Sequence, residues 1–427
     1  DIDVNVYNAF VQARITPGFN VQAEYRHRDM DRGNLESFFN TPTGTPQSNF
    51  VNTFRRRSDA DTYRLGVHLS PTNQSDLLGS FQHINQQTLI NTDPSISNKA
   101  VIGEAQYIQR FDKIKSILGG GYYWLDTSEK ILKNGNGYLY NYIRYPDTVN
   151  WTLGVSFNVL DDSAYSKGIR SVNPKFGLEW NITPDTLFRA AAFRTVNTAK
   201  LPYQTIEPVQ IAGFNQFYDE LYRTEAVRWG VGMDHKFNST LSGGVEISQR
   251  LLDKHTRIGA KGIETETRWR ESNYRAYLLW APHPRWEATL EYFRENFDDF
   301  GKRDACDTET QIIPVGLGYY DPSGIFVKFK SSFYYQNVNL NPSCEKPQQI
   351  GRAEKSDKAI FLDLSLGYRF PKRLGIFELQ FQNLLDQNYR YEGIQARQSA
   401  YSNDTGVPQF LPFSPEFTIF ARITLAL

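Results

Sequence analysis

The chain is short of cysteine, with two in 427 residues, and it has no excess charge, its 47 basic residues matching 47 acidic ones. The first scarcity excludes a disulfide-dense scaffold and any zinc site built mainly from thiolates. The second removes the basic footprint expected of a nucleic-acid-binding protein. Long apolar runs are missing too, since no stretch of about 18 apolar residues exists to cross a bilayer as a helix. No segment has a helical period, and no charged, apolar, small-residue leader opens the sequence at Asp1, so an exported precursor is expected to have lost its leader. What is abundant is aromatic: 29 Phe, 25 Tyr and 7 Trp, too many for a chain that cannot collapse. Yet the mean hydropathy is −0.52, as polar as a soluble protein.

Alternation resolves that pairing. In the last segment Phe417, Ile419, Ala421, Ile423, Leu425 and Leu427 fall on one face, with Thr418, Phe420, Arg422, Thr424 and Ala426 on the other. Phe377, Leu379 and Phe381 likewise oppose Glu378, Gln380 and Gln382, and Ile360, Leu362, Leu364 and Leu366 oppose Asp363, Ser365 and Gly367. Period two over about ten residues predicts strands, and it recurs along the whole chain.

Tight connections at Thr16-Pro17-Gly18, Ser70-Pro71-Thr72-Asn73, Thr183-Pro184-Asp185 and Asp321-Pro322-Ser323-Gly324 carry turn residues. They alternate with long polar loops expected near residues 29–60, 198–222, 341–354 and 389–412. Short turns on one side and long loops on the other predict a bacterial outer-membrane barrel. Only a sheet that closes on itself pairs every backbone group in lipid, with an apolar face outward and a wet face inward. The fold expected is therefore all-β, a transmembrane antiparallel up-and-down barrel of about 18 strands (16 to 20), spanning 1–427 as one domain. An even strand number and connections that begin short and end long point either to missing upstream sequence or to a misread segment, the most doubtful being that around Tyr138 to Tyr145. Tyr122, Tyr123, Trp124, Trp180, Trp229, Trp280, Trp286, Tyr319 and Tyr335 are expected in interfacial girdles.

Two runs carry a family resemblance. Asn173-Pro174-Lys175-Phe176-Gly177-Leu178-Glu179-Trp180, followed by Thr183-Pro184-Asp185 and Leu187-Phe188-Arg189-Ala190, resembles the mid-barrel segment of TonB-dependent receptors. Phe381-Gln382-Asn383-Leu384-Leu385-Asp386-Gln387-Asn388-Tyr389 is similar to their penultimate-strand motif, and Phe417 to Leu427 to their closing strand. The resemblance implies an outer-membrane barrel. It departs from that family in showing no plug domain or energy-coupling box, and the pattern also resembles barrels of export porins that follow periplasmic helical repeats.

With the polar face inward, the expected lumen lining is Arg14, Arg26, Arg64, Arg110, Lys175, Arg189, Arg228, Arg250, Arg275, Lys328, Lys330, Arg369 and Arg422, with Glu246, Glu287, Glu291 and Asp363. Such charges either select solutes or pair across strands and stiffen the wall. Cys306 and Cys344 lie in successive long-side loops and are expected to form a disulfide in an oxidising compartment. Asp298, Asp299, Asp304 and Asp307 make an acidic loop better read as solvated than as a Ca²⁺ site. The six histidines show no metal spacing, Arg268-Trp269-Arg270 reads as surface facing lipopolysaccharide or solvent, and no nucleophilic serine motif is present. No cofactor, metal or catalytic role is expected. The leading expectation is a porin-like channel of the Gram-negative outer membrane, passive or gated, passing solutes or exporting a polymer. The alternatives are the barrel of a TonB-dependent-like receptor and a surface scaffold with a blocked lumen. Expected partners are the lipid bilayer, lipopolysaccharide and a periplasmic partner or upstream domain, but no nucleic acid.

Overall fold

A computed structural model describes residues 2–39, 46–90, 96–127, 130–198, 205–216, 222–258, 263–299, 306–340, 356–387 and 417–425. The first ten strands are β1 (Ile2–Thr16), β2 (Phe19–Phe39), β3 (Pro46–Thr72), β4 (Ser75–Ile90), β5 (Ile96–Arg110), β6 (Ile114–Thr127), β7 (Ile131–Arg144), β8 (Val149–Asp162), β9 (Ile169–Thr183) and β10 (Thr186–Val196). Two short strands, β11 (Gln210–Ile211) and β12 (Phe214–Asn215), pair only with each other. The rest are β13 (Thr224–Lys236), β14 (Leu241–Ile258), β15 (Ile263–His283), β16 (Trp286–Asp299), β17 (Cys306–Tyr320), β18 (Ile325–Leu340), β19 (Ser356–Arg369), β20 (Gly375–Gln382) and β21 (Thr418–Leu425). Nineteen of these belong to one antiparallel sheet, and the described residues hold no α-helix.

The chain forms two compact units, residues 1–178 with 193–225, and residues 179–192 with 226–427. In the first, each strand from β1 to β8 pairs with the next. In the second, β14 to β21 do the same. The stretch read as a loop at residues 29–60 is instead paired strand, with Met30 opposite Ser58 and pairing that continues to Phe39 opposite Pro46. The apolar alternation stops there while backbone hydrogen bonding does not, so a hydrophobic pattern alone underestimates strand length. The doubtful segment around Tyr138 is a full strand, β7.

Exposure is inverted relative to a water-soluble protein. On β8 the outward residues Leu153, Phe157 and Val159 are 42%, 51% and 44% exposed, while Thr152 and Ser156 on the opposite face are buried. The same holds for Leu65, Val67 and Leu69 on β3 and for Leu278, Trp280, Trp286 and Leu290 on β15 and β16. An apolar surface this extensive is stable only against lipid or a partner. The polar face is not uniformly wet, however. In the first unit Ile84, Ala100, Ile102, Tyr123, Leu125, Leu132, Leu160, Ile169 and Val196 pack on it as a buried cluster, with Tyr222 against them. Tyr123 therefore belongs to this core and not to an interfacial girdle, because its neighbours Tyr122 and Trp124 take the outward positions of the pleat.

Candidate functional site

The register decides which charged residues meet. In the first unit Arg14 stands opposite Asn20, Arg26 opposite Asn8 and Thr62, and Arg64 opposite Glu24 and Gln82. Arg110 shares that face and pairs with Asp76. In the second unit Glu246 faces Arg275, Arg250 faces Glu271, Glu287 faces Gly318, Lys328 faces Ser365, Lys330 faces Asp363 and Arg422 faces Glu378. Cross-strand partners share a face, so the sequence-predicted residues of each unit lie on its polar side.

Many of those charges are already paired. Arg189 Nε lies 2.8 Å from Asp234 and its Nη2 3.3 Å from Glu246. Arg250 and Glu271 form a buried ion pair, with side chains 6% and 5% exposed. Arg275 reaches Glu291 at 3.2 Å, Arg228 donates to Ser248 Oγ at 3.0 Å, and Arg369 stacks over Tyr320 and Phe326. Lys175 is buried and donates to the Arg194 carbonyl at 2.7 Å. Lys328 and Lys330 are exposed.

Three other expectations resolve differently. Trp269, taken as surface, is buried at 8% exposure against Phe297, with Lys254 over its ring, because its odd-numbered position on β15 points to the polar face. Its neighbours Arg268 and Arg270 bond Asp253 and Asp298, which removes Asp298 from any open acidic site. Asp304 and Cys344 lie outside the described residues, and of Cys306, Asp299 and Asp307 only the backbone is described. His27, Asp59 and Asp61 bring ligand-type atoms within 4.8 Å of one another. Asp61 there accepts from Tyr25 at 2.8 Å and bonds His27 at 3.0 Å, so hydrogen bonding accounts for the group without an ion.

The feature that sequence reading missed is the segment between β10 and β13. Within the first unit, residues 205–216 fold onto the polar face of the wall. Gln106 Nε2 donates to the Ile206 carbonyl at 2.6 Å, and Thr205 donates to Glu104. The Glu207 carboxylate accepts from the Tyr140 hydroxyl at 2.6 Å and from Asn136 Nδ2 at 3.4 Å. Gln216 Nε2 donates to the Tyr140 oxygen at 3.1 Å and to the Pro208 carbonyl at 2.6 Å. Ile211 and Phe214 are buried and close a hairpin through Ala212 and Gly213, both with positive φ, as a mirror-image turn requires.

Two glycines make the fit. A Cβ at Gly154 would meet the Tyr140 ring at 2.7 Å, and one at Gly177 would meet Ile211 Cγ2 at 2.8 Å. Burial pushes the Glu207 carboxyl above its ordinary pKa, and the Lys175 ammonium, Tyr140 and Asn136 act in the other direction. Beside Ile206 a cavity of about 200 Å³ is lined by Asn20, Gln22, Glu24, Arg64, His68 and Ser80 among others. The run Ile206, Val209, Ile211 and Phe214 inside a polar loop was the only sequence signal that this segment docks.

No family model and no curated protein matches the sequence. Solved structures do. The FrpB iron transporter from Neisseria meningitidis superposes with a TM-score of 0.72 at 9% identity, covering 91% of this chain and 68% of that one. A variant of the ferric enterobactin receptor PfeA from Pseudomonas aeruginosa gives 0.70 at 11% identity, covering 99% and 69%. BauA, the ferric preacinetobactin receptor from Acinetobacter baumannii, gives 0.69 at 8% identity, covering 99% and 72%. The chain thus has the antiparallel up-and-down β-barrel fold of these three structures, as the resemblance of its two motif runs implied.

Proposed function

We propose that the chain is the barrel of an outer-membrane uptake receptor for ferric siderophore complexes. The observation that supports this most is the extent of the likeness, over 91–99% of the chain, to three proteins named for iron transport or ferric-siderophore reception. It favours the receptor alternative over the porin and export readings. The lining residues then act at two levels. Paired groups such as Arg189, Arg228, Arg250 and Arg275 stiffen the wall, while exposed Lys328, Lys330 and Arg422 meet the solute as it passes. A periplasmic partner supplies the work of uptake, and the exposed apolar face meets the bilayer and lipopolysaccharide. The test is uptake of ⁵⁵Fe from a panel of ferric siderophores by cells with and without the gene. Saturable uptake of at least one complex that is lost on deletion is expected. Unchanged uptake, together with persistent nanosiemens openings in planar bilayers that no ferric complex blocks, overturns the reading in favour of a channel.

A further inference from the structure

A carboxylate seldom sits in a protein interior without dedicated donors. Glu207 is 8% exposed, yet it comes from a connecting segment and not from a strand, and the hydrogen-bond donors to its carboxylate are on the wall. Tyr140, fully buried on β7, aims its hydroxyl at Glu207 Oε1, and Asn136, two pleats along the same face, donates to Oε2. Lys175 on β9 is 4% exposed and supplies the positive charge felt by that carboxylate, while its own hydrogen bond goes to a neutral carbonyl. A buried lysine without a carboxylate in hydrogen-bond contact is costly. The wall itself places the Tyr140 ring, over Gly154, and the Lys175 ammonium, tied to the Arg194 carbonyl, while the Tyr140 hydroxyl also meets Gln216 of the segment.

We infer that Tyr140, Asn136 and Lys175 form a carboxylate-binding subsite on the polar face of the barrel wall, and that Glu207 of the docked segment occupies it as a tethered stand-in for the carboxylate of an incoming anionic solute. A solute carboxylate and Glu207 compete for the same two donors and the same ammonium. Binding of the solute therefore releases residues 205–216, and release of the segment exposes the subsite. The inference depends on the receptor reading only for how a solute reaches this face. Its test contains no iron and no uptake step, so either can fail alone.

The experiment titrates citrate into the purified, folded chain in detergent, reading binding by calorimetry and segment release by amide exchange of peptides covering 205–216. In the wild type, citrate is expected to raise exchange in that segment while β7 peptides stay protected. Glu207→Ala frees the subsite and is expected to bind citrate at least tenfold more tightly than the wild type. Glu207→Ala combined with Lys175→Met is expected to lose that gain, and Glu207→Ala combined with Tyr140→Phe, which keeps the ring, to lose much of it. The second pair serves if the buried lysine replacement does not fold. Citrate binding to Glu207→Ala no tighter than to the wild type, or a gain that survives both second substitutions, overturns the inference. So does citrate binding to the wild type with no change in exchange at 205–216.

Discussion

Replacing Tyr140 with Phe isolates the bond that holds the docked segment. The ring is fully buried and packs over Gly154, so removing one oxygen leaves the packing in place. What is lost is the hydroxyl donated to Glu207 at 2.6 Å and the acceptor used by Gln216 at 3.1 Å. A hydrogen bond to a charged group contributes about 1.5–3 kcal/mol net. Asn136, at 3.4 Å, is too long to replace it fully. Since about 1.4 kcal/mol is a factor of ten in an equilibrium constant, the undocked fraction of residues 205–216 should rise roughly 10- to 100-fold. Hydrogen–deuterium exchange followed by mass spectrometry reads this directly, as faster exchange confined to that segment. The barrel itself should be unaffected, because the ladders from β7 to β6 and to β8 do not pass through the hydroxyl. Unchanged exchange at 205–216 would refute the idea that Tyr140 is the anchor, and faster exchange spread through β6 to β8 would show that the substitution damages the wall instead.

Three further outcomes are expected. Burial raises the Glu207 pKa, so the docked segment binds a proton more readily than the released one. Docking should weaken as pH rises from the ordinary carboxyl range to the raised value and stay level above it, where the carboxylate is charged whether docked or released, and Glu207→Gln should flatten this dependence in the same exchange assay. Arg250→Ala should cost about 3–5 kcal/mol in urea unfolding from lipid vesicles, because it leaves Glu271 charged and buried, whereas replacing Arg250 and Glu271 together with leucine should recover most of that loss; equal costs for single and double replacements would sink the pairing argument. Finally, Trp180, Trp229, Trp280 and Trp286 are 44–51% exposed on the apolar face and should be quenched by brominated lipid, while Trp269→Phe should leave the quenching unchanged.

Strand identity and facing were legible because the two faces of these strands meet different solvents. A residue such as Lys330 or Leu364 is assigned by parity alone, and the pairing of Lys330 with Asp363 and of Phe329 with Leu364 follows it. Parity also carries beyond the membrane belt only where a hydrophobic contrast persists. Beyond Tyr25 and Tyr63 the outward positions become His27, Asp29, Asp59 and Asp61, and the period-two signal vanishes although β2 and β3 continue. Tyr123 and Trp269 were misjudged because aromatics serve girdle and core equally well, and only their odd positions on β6 and β15 separate the two. The His27, Asp59 and Asp61 group was invisible because it is assembled across two strands more than thirty residues apart.

The docked segment was hidden for a different reason, which bears on what the site does. A polar face built for water alone needs no apolar residues in its connecting loops, and the length and polarity of residues 198–222 read as solvent-exposed chain. Ile211 and Phe214 contradict that reading only once Gly177 is seen to leave room for Ile211, so the complementarity lies in the wall and the loop together. A wall that keeps Gly154 clear for a tyrosine ring and Gly177 clear for an isoleucine, and that buries Lys175 with only a neutral carbonyl in hydrogen-bond contact, has been shaped around an occupant. If the occupant were only structural, apolar side chains in place of Glu207 and Lys175 together would serve as well, since buried ion pairs rarely stabilise more than their hydrophobic replacements. A carboxylate at that position is better explained by exchange with a solute that carries one, so Glu207→Leu, which forfeits the bond from Tyr140, should speed amide exchange at 205–216 about as much as Tyr140→Phe does and leave it unchanged by citrate.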